Sequence, residues 1–376
     1  MALGLYIHVP FCSSRCDYCA FATWDDRFEF VDQYLEYVIR EIRLRSRGMR
    51  FHTVFFGGGT PTILRIDALA AIMDSIELVP DAEVSIEANP ESLSSDVRAY
   101  EQVGINRVSL GVQSLRQNEL GLLGRRHQVH DATRAIASLA NSNLRYSCDF
   151  IFGVRGGSPD LLLEDVAGLL KIQRPPEHLS IYGLTVEAGT PLALQQERHP
   201  DDDDDYLTYL KIDASLKELG FEAYEISNFC SGNSYSRHNW NYWMQGEYLG
   251  VGPSAHSYLN GQRSWNIRDS FRWGRAVETG ASSIAGFEEL SVADKIFEGL
   301  TLALRTRIGV PLNVLNVDEL PDDLYDLTLD HRIVLSAKGR LLESQLAHRL
   351  IVQNITADEL MEHQSILPFD VGAPVK

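Results

Sequence analysis

The sequence predicts an α/β protein: an incomplete (β/α) barrel of six strands, a partial (β/α)6 barrel, followed by a smaller, mostly helical C-terminal domain. Three observations predict it. Six short apolar segments within the first 185 residues alternate with stretches whose apolar residues repeat at helical spacing, the pattern of a parallel sheet built from right-handed crossovers. Polar and glycine-rich residues cluster at the ends of these segments, where such folds carry their working groups. The alternation breaks after about residue 220, and from about residue 288 the pattern turns mostly helical.

The elements follow in order. "LYIHV" (5–9) reads as the first strand, and Val31, Tyr34, Leu35, Val38, Ile39 and Ile42 mark the amphipathic helix after it. "TVFF" (53–56) is a strand running into "GGGTPT", with a helix over roughly 66–78. Further strands are predicted at "EVSIEAN" (83–89), "RVSLGV" (107–112), "RYSCDFIFG" (145–153) and "HLSIYGLT" (178–185). Their number and spacing favour an incomplete barrel over a flat doubly wound sheet. Beyond them come "YEISNF", "RHNWNYW" and a stretch in which Asn260 and Gly261 mark a hairpin turn. The expected organisation is a barrel with its site over 1–220, an aromatic-rich connecting segment over 221–285, and a helical domain with a loose tail over 286–376. Within the last, "RIVLSAKGRLLES" (332–344) reads as a wing-like hairpin.

Composition narrows the function. The chain of 376 residues is 44% apolar with a formal charge of −18, which argues against a nucleic-acid partner. Part of that charge is "DDDDD" (201–205), read as a solvated loop or the acidic first turn of a helix. No run of eighteen apolar residues predicts a membrane span, and the stretch before the first cysteine is too short for a cleavable signal peptide. Five unevenly spaced cysteines do not form a secreted disulfide framework, so a cytoplasmic location is expected.

Three of those cysteines, Cys12, Cys16 and Cys19, fall in "CSSRCDYC". Soft thiolates select zinc, copper(I) or iron–sulfur clusters. A structural zinc site takes four ligands, commonly as two pairs, whereas Cys148 and Cys230 are isolated and His8 lies on a strand. A 4Fe-4S cubane takes one thiolate per iron, so three cysteines leave one iron open to a small chelating ligand. The spacing resembles the signature of the radical S-adenosylmethionine (SAM) superfamily, in which SAM holds the open iron. Gly57, Gly58, Gly59 and Thr60 resemble that superfamily's SAM motif, with glycines allowing close backbone approach; a side chain at Gly59 is expected to block it. Glu87, in an apolar strand, is costly to bury without a cationic or hydrogen-bonding partner, which is either a ligand or a buried arginine. Gln113 reads as a strand-end amide that caps a loop or reaches a ligand. Arg125 and Asp149 hold either one another or the ribose and carboxylate of SAM.

Taken together, "LYIHVPFCSSRCDYCAF", "FFGGGTPT", "IEANPE", "LGVQS", "LGRRH", "YGLTVEAGTPL", "YEISNF", "RHNWNYW" and "GVGPSAHS" resemble the family of oxygen-independent coproporphyrinogen III oxidase and its heme-chaperone branch, HemW. The resemblance covers nearly the whole chain. It implies a radical SAM barrel with Cys12, Cys16 and Cys19 as cluster ligands. It also implies SAM contacts by Tyr6, Gly58, Gly59, Thr60, Glu87, Gln113, Arg125 and Asp149, and contact of Tyr18 with a second SAM. Phe21 stands where the oxidase has a further cysteine, no oxidase-like extension precedes Tyr6, and "HNWNYW" matches the chaperone branch; all three favour that branch. "FIFGVRGG" departs from the family's usual G-L-P after the fifth strand. The expected function is therefore a heme chaperone that keeps a 4Fe-4S cluster and SAM, draws on an electron donor, and delivers heme to a recipient protein, membrane-associated or not. The alternative is the oxidase, which uses a 5′-deoxyadenosyl radical on the propionates of coproporphyrinogen III. Arg15, Arg125 and Arg126 are available to porphyrin carboxylates in either case. Histidine is a common axial ligand to heme iron, which makes His238 the candidate, with Trp240, Tyr242 and Trp243 either flanking the macrocycle or forming core. His256 and Cys230 are rival ligands.

Overall fold

The computed structural model describes residues 2–200, 202–315, 317 and 320–352. Six parallel strands form its body: β1 (Gly4–Val9), β2 (Phe51–Gly58), β3 (Leu78–Ala88), β4 (Arg107–Gln113), β5 (Arg145–Phe152) and β6 (His178–Gly183), adjacent in chain order. Successive strand residues point to opposite faces. One face presents Ile86, Val108, Leu110, Cys148, Phe150 and Leu179 to the helices Val31–Arg45, Ile66–Met73, Val129–Ala140 and Pro159–Leu169, forming one large apolar core. The other face carries Glu87, Arg107, Ser109, Asp149, His178 and Ser180, which line a polar bore. All six predicted strands are present, and the barrel is partial.

The sheet does not end with β6. Past β6 lie β8 (Asn228–Cys230) and then β7 (Glu222–Ala223), both antiparallel. At the opposite edge β9 (Tyr248–Val251) pairs in parallel with β1, and β10 (His256–Leu259), β11 (Gln262–Asn266) and β12 (Ile284–Glu289) extend the sheet antiparallel. The aromatic-rich stretch thus adds strands to both edges of the sheet and contributes two helices, one of them Ser270–Thr279. Its "RHNWNYW" is a helix, Arg237–Trp243, capped by the Ser236 hydroxyl and packed across the starts of β1–β3. It closes the N-terminal end of the bore.

One buried carboxylate clamps the extension to the barrel. Glu41, on the helix Val31–Arg45, is 1% exposed. Its Oε2 accepts from the Gly252 N–H at 2.8 Å and Trp273 Nε1 at 3.0 Å. Its Oε1 accepts from Asn266 Nδ2 at 2.9 Å, the Ser283 hydroxyl at 2.5 Å and Arg45 Nη1 at 3.2 Å. Five donors from the barrel helix and the extension meet on one side chain.

The C-terminal part has its own small core around Ile296, Leu300, Leu304, Ile333 and Leu335. It combines the helix Val292–Leu304, a three-stranded sheet of β13 (Val310–Pro311), β14 (Tyr325–Leu327) and β15 (Arg332–Leu335), and two short helices, Ala337–Leu341 and Glu343–Ala347. Of the stretch read as a hairpin, only Arg332–Leu335 is strand, because Ser336 caps the helix that follows by accepting from the Gly339 N–H. Arg305 docks this part onto buried Glu225 at 2.9 Å, and Arg340 pairs with Asp213. The acidic run opens a helix, Asp202–Glu218; the predicted loose tail lies outside the described residues.

Replacing Glu41 with alanine removes the acceptor of the Gly252 N–H, Trp273 Nε1 and the Ser283 hydroxyl, and the carboxylate partner of Arg45. We expect Glu41→Ala to lower stability by about 3–5 kcal/mol, read as a shift of the urea midpoint, and to loosen 248–289 first in hydrogen exchange.

Candidate cofactor site in the barrel bore

The three clustered cysteines follow β1 on a loop that is cinched at its base. Cys12 N donates to Trp24 O at 2.9 Å and Trp24 N to Pro10 O at 2.7 Å. Inside the loop, Cys19 N donates to Cys16 O, and Arg15 donates to Cys19 O through Nε and Nη2. His8 braces it from below, with Nε2 at 2.8 Å from Ala22 O and Nδ1 at 3.1 Å from the Tyr6 hydroxyl. Burial lowers the pKa of His8 to about 4, so the brace is a neutral imidazole, occupied at both nitrogens. Cys12, Cys16 and Cys19 are half-buried free thiols bordering one cavity of about 540 Å3. Cys148 and Cys230 are buried away from it.

A hydrogen-bonded chain joins two of the cysteines through three other loops. The Thr60 hydroxyl donates to Cys12 Sγ at 3.7 Å, and Asn89 Nδ2 donates to Thr60 Oγ1 at 3.0 Å. Arg125 Nη2 donates to Asn89 Oδ1 at 2.5 Å, while its Nη1 donates to Cys16 Sγ at 3.3 Å. Burial raises the Cys12 pKa to about 11, offset in part by Thr60, and also raises that of Cys19. Burial works against the charge of Arg125, but Tyr18, Cys16 and Glu91 nearby hold its pKa above the usual range. The guanidinium is a fixed, charge-assisted donor to the Cys16 sulfur. Asn89, the centre of this chain, was not among the predicted site residues; its place in "IEANPE" at the end of β3 was the available signal.

The glycine motif has a mixed role. Gly58 has φ +108°, and its N–H donates to Glu87 Oε2 at 3.0 Å. At Gly59 a Cβ would lie 2.5 Å from Phe11 O and 2.9 Å from Val9 O. The close approach that requires this glycine is therefore to the cysteine loop. Gly57 lies beside Phe55 and Tyr6 and does not line the cavity; Gly58, Gly59 and Thr60 do.

Glu87, Gln113, Arg125 and Asp149 come together in the bore with Tyr6 and Tyr18. Burial pushes Glu87 up to about 7, opposed by the Gly58 N–H and reinforced by the charge of Asp149. No cationic side chain pairs with it among the described residues, so the buried-arginine reading of Glu87 does not hold, and its carboxylate remains available to a cationic ligand. Asp149 accepts from the hydroxyls of Ser109 at 2.8 Å and Ser147 at 3.3 Å, and burial raises its pKa. Arg125 and Asp149 do not pair. Gln113 ends β4 after a register shift, at φ +63°, a strained conformation of the kind held at ligand sites.

These groups fit a cluster with an attached amino-acid ligand. Among the described residues no three His, Cys, Asp or Glu converge at the spacing one metal ion needs. A cubane, which places each thiolate on a separate iron, makes no such demand. A lone buried carboxylate and strand-end polar groups beside the thiols suit an ammonium and a sugar.

His238 lies elsewhere. Its ring is fully buried beneath the bore, with Nδ1 at 2.8 Å from the Thr53 hydroxyl and Nε2 at 2.8 Å from the Tyr242 hydroxyl. Burial, with Arg107, lowers its pKa to about 3. It holds Tyr242, one helical turn on, in the wall of a second cavity of about 740 Å3. That cavity is lined by Phe21, Tyr242, Trp243, Tyr248, Tyr258 and Phe297, with exposed His256 and Arg268 at its edge. Tyr6, Ala20, Phe21 and Tyr242 border both cavities. Cys230 borders neither.

Residues 6–167 match the model of the radical SAM superfamily. Over 93% of this chain and 94% of the relative, the sequence is 36% identical to the heme chaperone HemW of Mycobacterium tuberculosis. It is 34% identical to the heme chaperone HemW of Escherichia coli, over 68% and 69% of the two chains. Bovine radical S-adenosyl methionine domain-containing protein 1, a mitochondrial protein, is 35% identical over 82% of this chain and 74% of its own. Among solved structures, coproporphyrinogen III oxidase (HemN) from Escherichia coli, a radical SAM enzyme, superposes with a TM-score of 0.77 at 22% identity, covering 92% of this chain and 89% of that one, which shows a common fold. The chain therefore belongs to the HemW heme-chaperone family of the radical SAM superfamily.

Proposed function

We propose that this protein binds heme and delivers it to a recipient protein, acting in the cytoplasm, and that it keeps a 4Fe-4S cluster and SAM in the bore beside the heme. The observation that carries this reading is the shared wall. An aromatic cavity of a size suited to a cofactor adjoins the cysteine cavity through Tyr6, Ala20, Phe21 and Tyr242. Phe21 is 66% exposed and borders both. An apolar ring at that place suits a flat macrocycle.

In this reading Cys12, Cys16 and Cys19 would hold the cluster, Arg125 donates to the Cys16 sulfur, and the Asn89–Thr60 chain keeps the loop in register with β2 and β3. Glu87 takes the SAM ammonium, Asp149 and Gln113 the nucleoside, and Tyr6 and Tyr18 pack against it. When bound, the cluster and SAM supply one-electron chemistry, for which an electron donor is required. The heme lies against Phe21, Tyr242 and Tyr248. His256, whose ring makes no hydrogen bond among the described residues and stands 6.2 Å from that of Trp265, would hold the heme iron in preference to His238, whose nitrogens are both engaged. No helix among the described residues is long and apolar enough to cross a membrane, so a membrane-associated recipient would have to be met at the surface.

Three outcomes test this. Anaerobic reconstitution is expected to load about four irons and four sulfides per chain. Serine at Cys12, Cys16 or Cys19 abolishes the brown chromophore, and serine at Cys148 or Cys230 spares it; tightly bound zinc in their place would refute the site. SAM affinity should rise as pH increases through about 7, where Glu87 loses its proton, and level off above. Glu87→Gln removes that dependence and weakens binding by one to two decades, as losing a charged hydrogen bond of roughly 1.5–3 kcal/mol implies.

For heme, the expectation is stoichiometric binding with a Soret band and no conversion of coproporphyrinogen III to protoporphyrinogen IX under reducing conditions. His256→Ala shifts that band. His238→Ala keeps the ligand type and loses stability. Catalytic formation of protoporphyrinogen IX would establish the oxidase instead.

A further inference from the structure

The bore continues below the level of Glu87. Its lower part is lined by Arg107, His178, Ser180 and, from the closing helix, Asn239. Arg107 opens β4, in register with Ser85 of β3. It is 2% exposed, and no ion pair or hydrogen bond engages its guanidinium among the described residues. The carboxylates around it are committed elsewhere. Glu83 pairs with Arg145 at 3.3 Å and accepts from the His238 N–H at 3.1 Å. Asp149 is held by two serines, and Glu87 by the Gly58 N–H. A buried cation without a partner is costly unless an anion completes it.

A second group in the same wall is also incomplete. His178, 2% exposed, meets the Tyr224 hydroxyl at 2.8 Å through Nε2, while its buried Nδ1 has no partner. The subsite uses the tautomer in which the Tyr224 hydroxyl donates to Nε2. A neutral imidazole accepting at Nε2 carries its hydrogen on Nδ1, so the spare group is a donor. Burial, with the charges of Arg107 and Arg145, keeps His178 neutral. The charge of Arg107 is felt by Asp149, His178, His238 and Tyr224, the titratable groups surrounding this part of the bore.

The geometry points to a carboxylate subsite in the lower bore, with the Arg107 guanidinium as its cation and His178 Nδ1–H as an additional donor. The planar fork of arginine matches the two oxygens of a carboxylate, and Ser180 and Asn239 supply further polar wall. The carboxylate belongs either to a free short-chain acid or to a propionate arm of the porphyrin; only the second source rests on the heme reading above.

Thermal unfolding of the reconstituted protein in sodium propionate, against sodium chloride at equal ionic strength, tests the first source, because a ligand of the native state raises Tm. Titrations with heme and with heme dimethyl ester test the second. We expect wild type to be stabilised by propionate, or to bind heme at least tenfold more tightly than the diester, and Arg107→Met to lose whichever effect is seen. Without ligand, Arg107→Met should unfold at the same temperature as wild type or higher, since it removes an unpaired buried charge; an arginine with a purely structural role gives the opposite. Arg107→Lys, which keeps the charge but not the fork, retains part of the effect and serves if the methionine variant folds poorly. A wild type indifferent to propionate that holds heme and diester equally overturns the subsite and leaves the heme site standing. A propionate shift in a protein that binds no heme does the reverse.

Discussion

Everything in this molecule depends on a sheet buried on both faces while one of those faces is polar. Parallel strands covered on both sides normally read as continuous apolar runs. Here β3 to β6 alternate, with Ile86, Val108 and Leu179 packed outward and Glu87, Arg107, Asp149 and His178 turned into the bore. Charges in such a place are destabilising unless each is met by a partner. Part of the set is met by protein: the serines at Asp149, the Gly58 N–H at Glu87, and the Asn89 and Cys16 contacts of Arg125. The remainder is a template for what the protein binds.

The same constraint explains the additions to the barrel. A partial barrel leaves the edge of β1 open, and an open edge invites foreign strands. The segment from β9 to β12 covers it, and Glu41 locks that cover to the helix behind β1. The covering segment also carries Tyr248, His256 and Tyr258 to the side of the cysteine loop, where Phe297 of the C-terminal part completes a second cavity. Closing the sheet and building a site next to the cluster loop are thus one structural event.

Much of this was legible in the sequence. The six strands announced themselves because outward apolar residues recur at period two between helical stretches, and the polar residues at their ends proved to share one cavity. The C-x3-C-x2-C spacing was equally readable, since its chemistry is local. What escaped were relations between distant segments. Nothing near "YLGV" signals that it pairs with β1, about 240 residues earlier in the chain. The role of His238 was misleading for the same reason: its environment is made by Thr53 and by Tyr242 on its own helix, and an imidazole flanked by aromatic residues in sequence looks alike whether it faces a ligand or the core. Gly59 was expected to serve the ligand and serves the cysteine loop. Arg107 carried no mark in the sequence beyond its place at the start of "RVSLGV", because only the folded bore shows that no hydrogen bond or ion pair engages it among the described residues.

The central claim is that the heme cavity and the cluster cavity share a wall, and fluorescence tests it most directly. Zinc protoporphyrin, bound in place of heme, should be strongly quenched in the protein with a reconstituted cluster and should recover its emission in Cys16→Ser, where the cluster does not form. Equal emission in the two proteins at equal porphyrin occupancy would separate the sites and contradict the account.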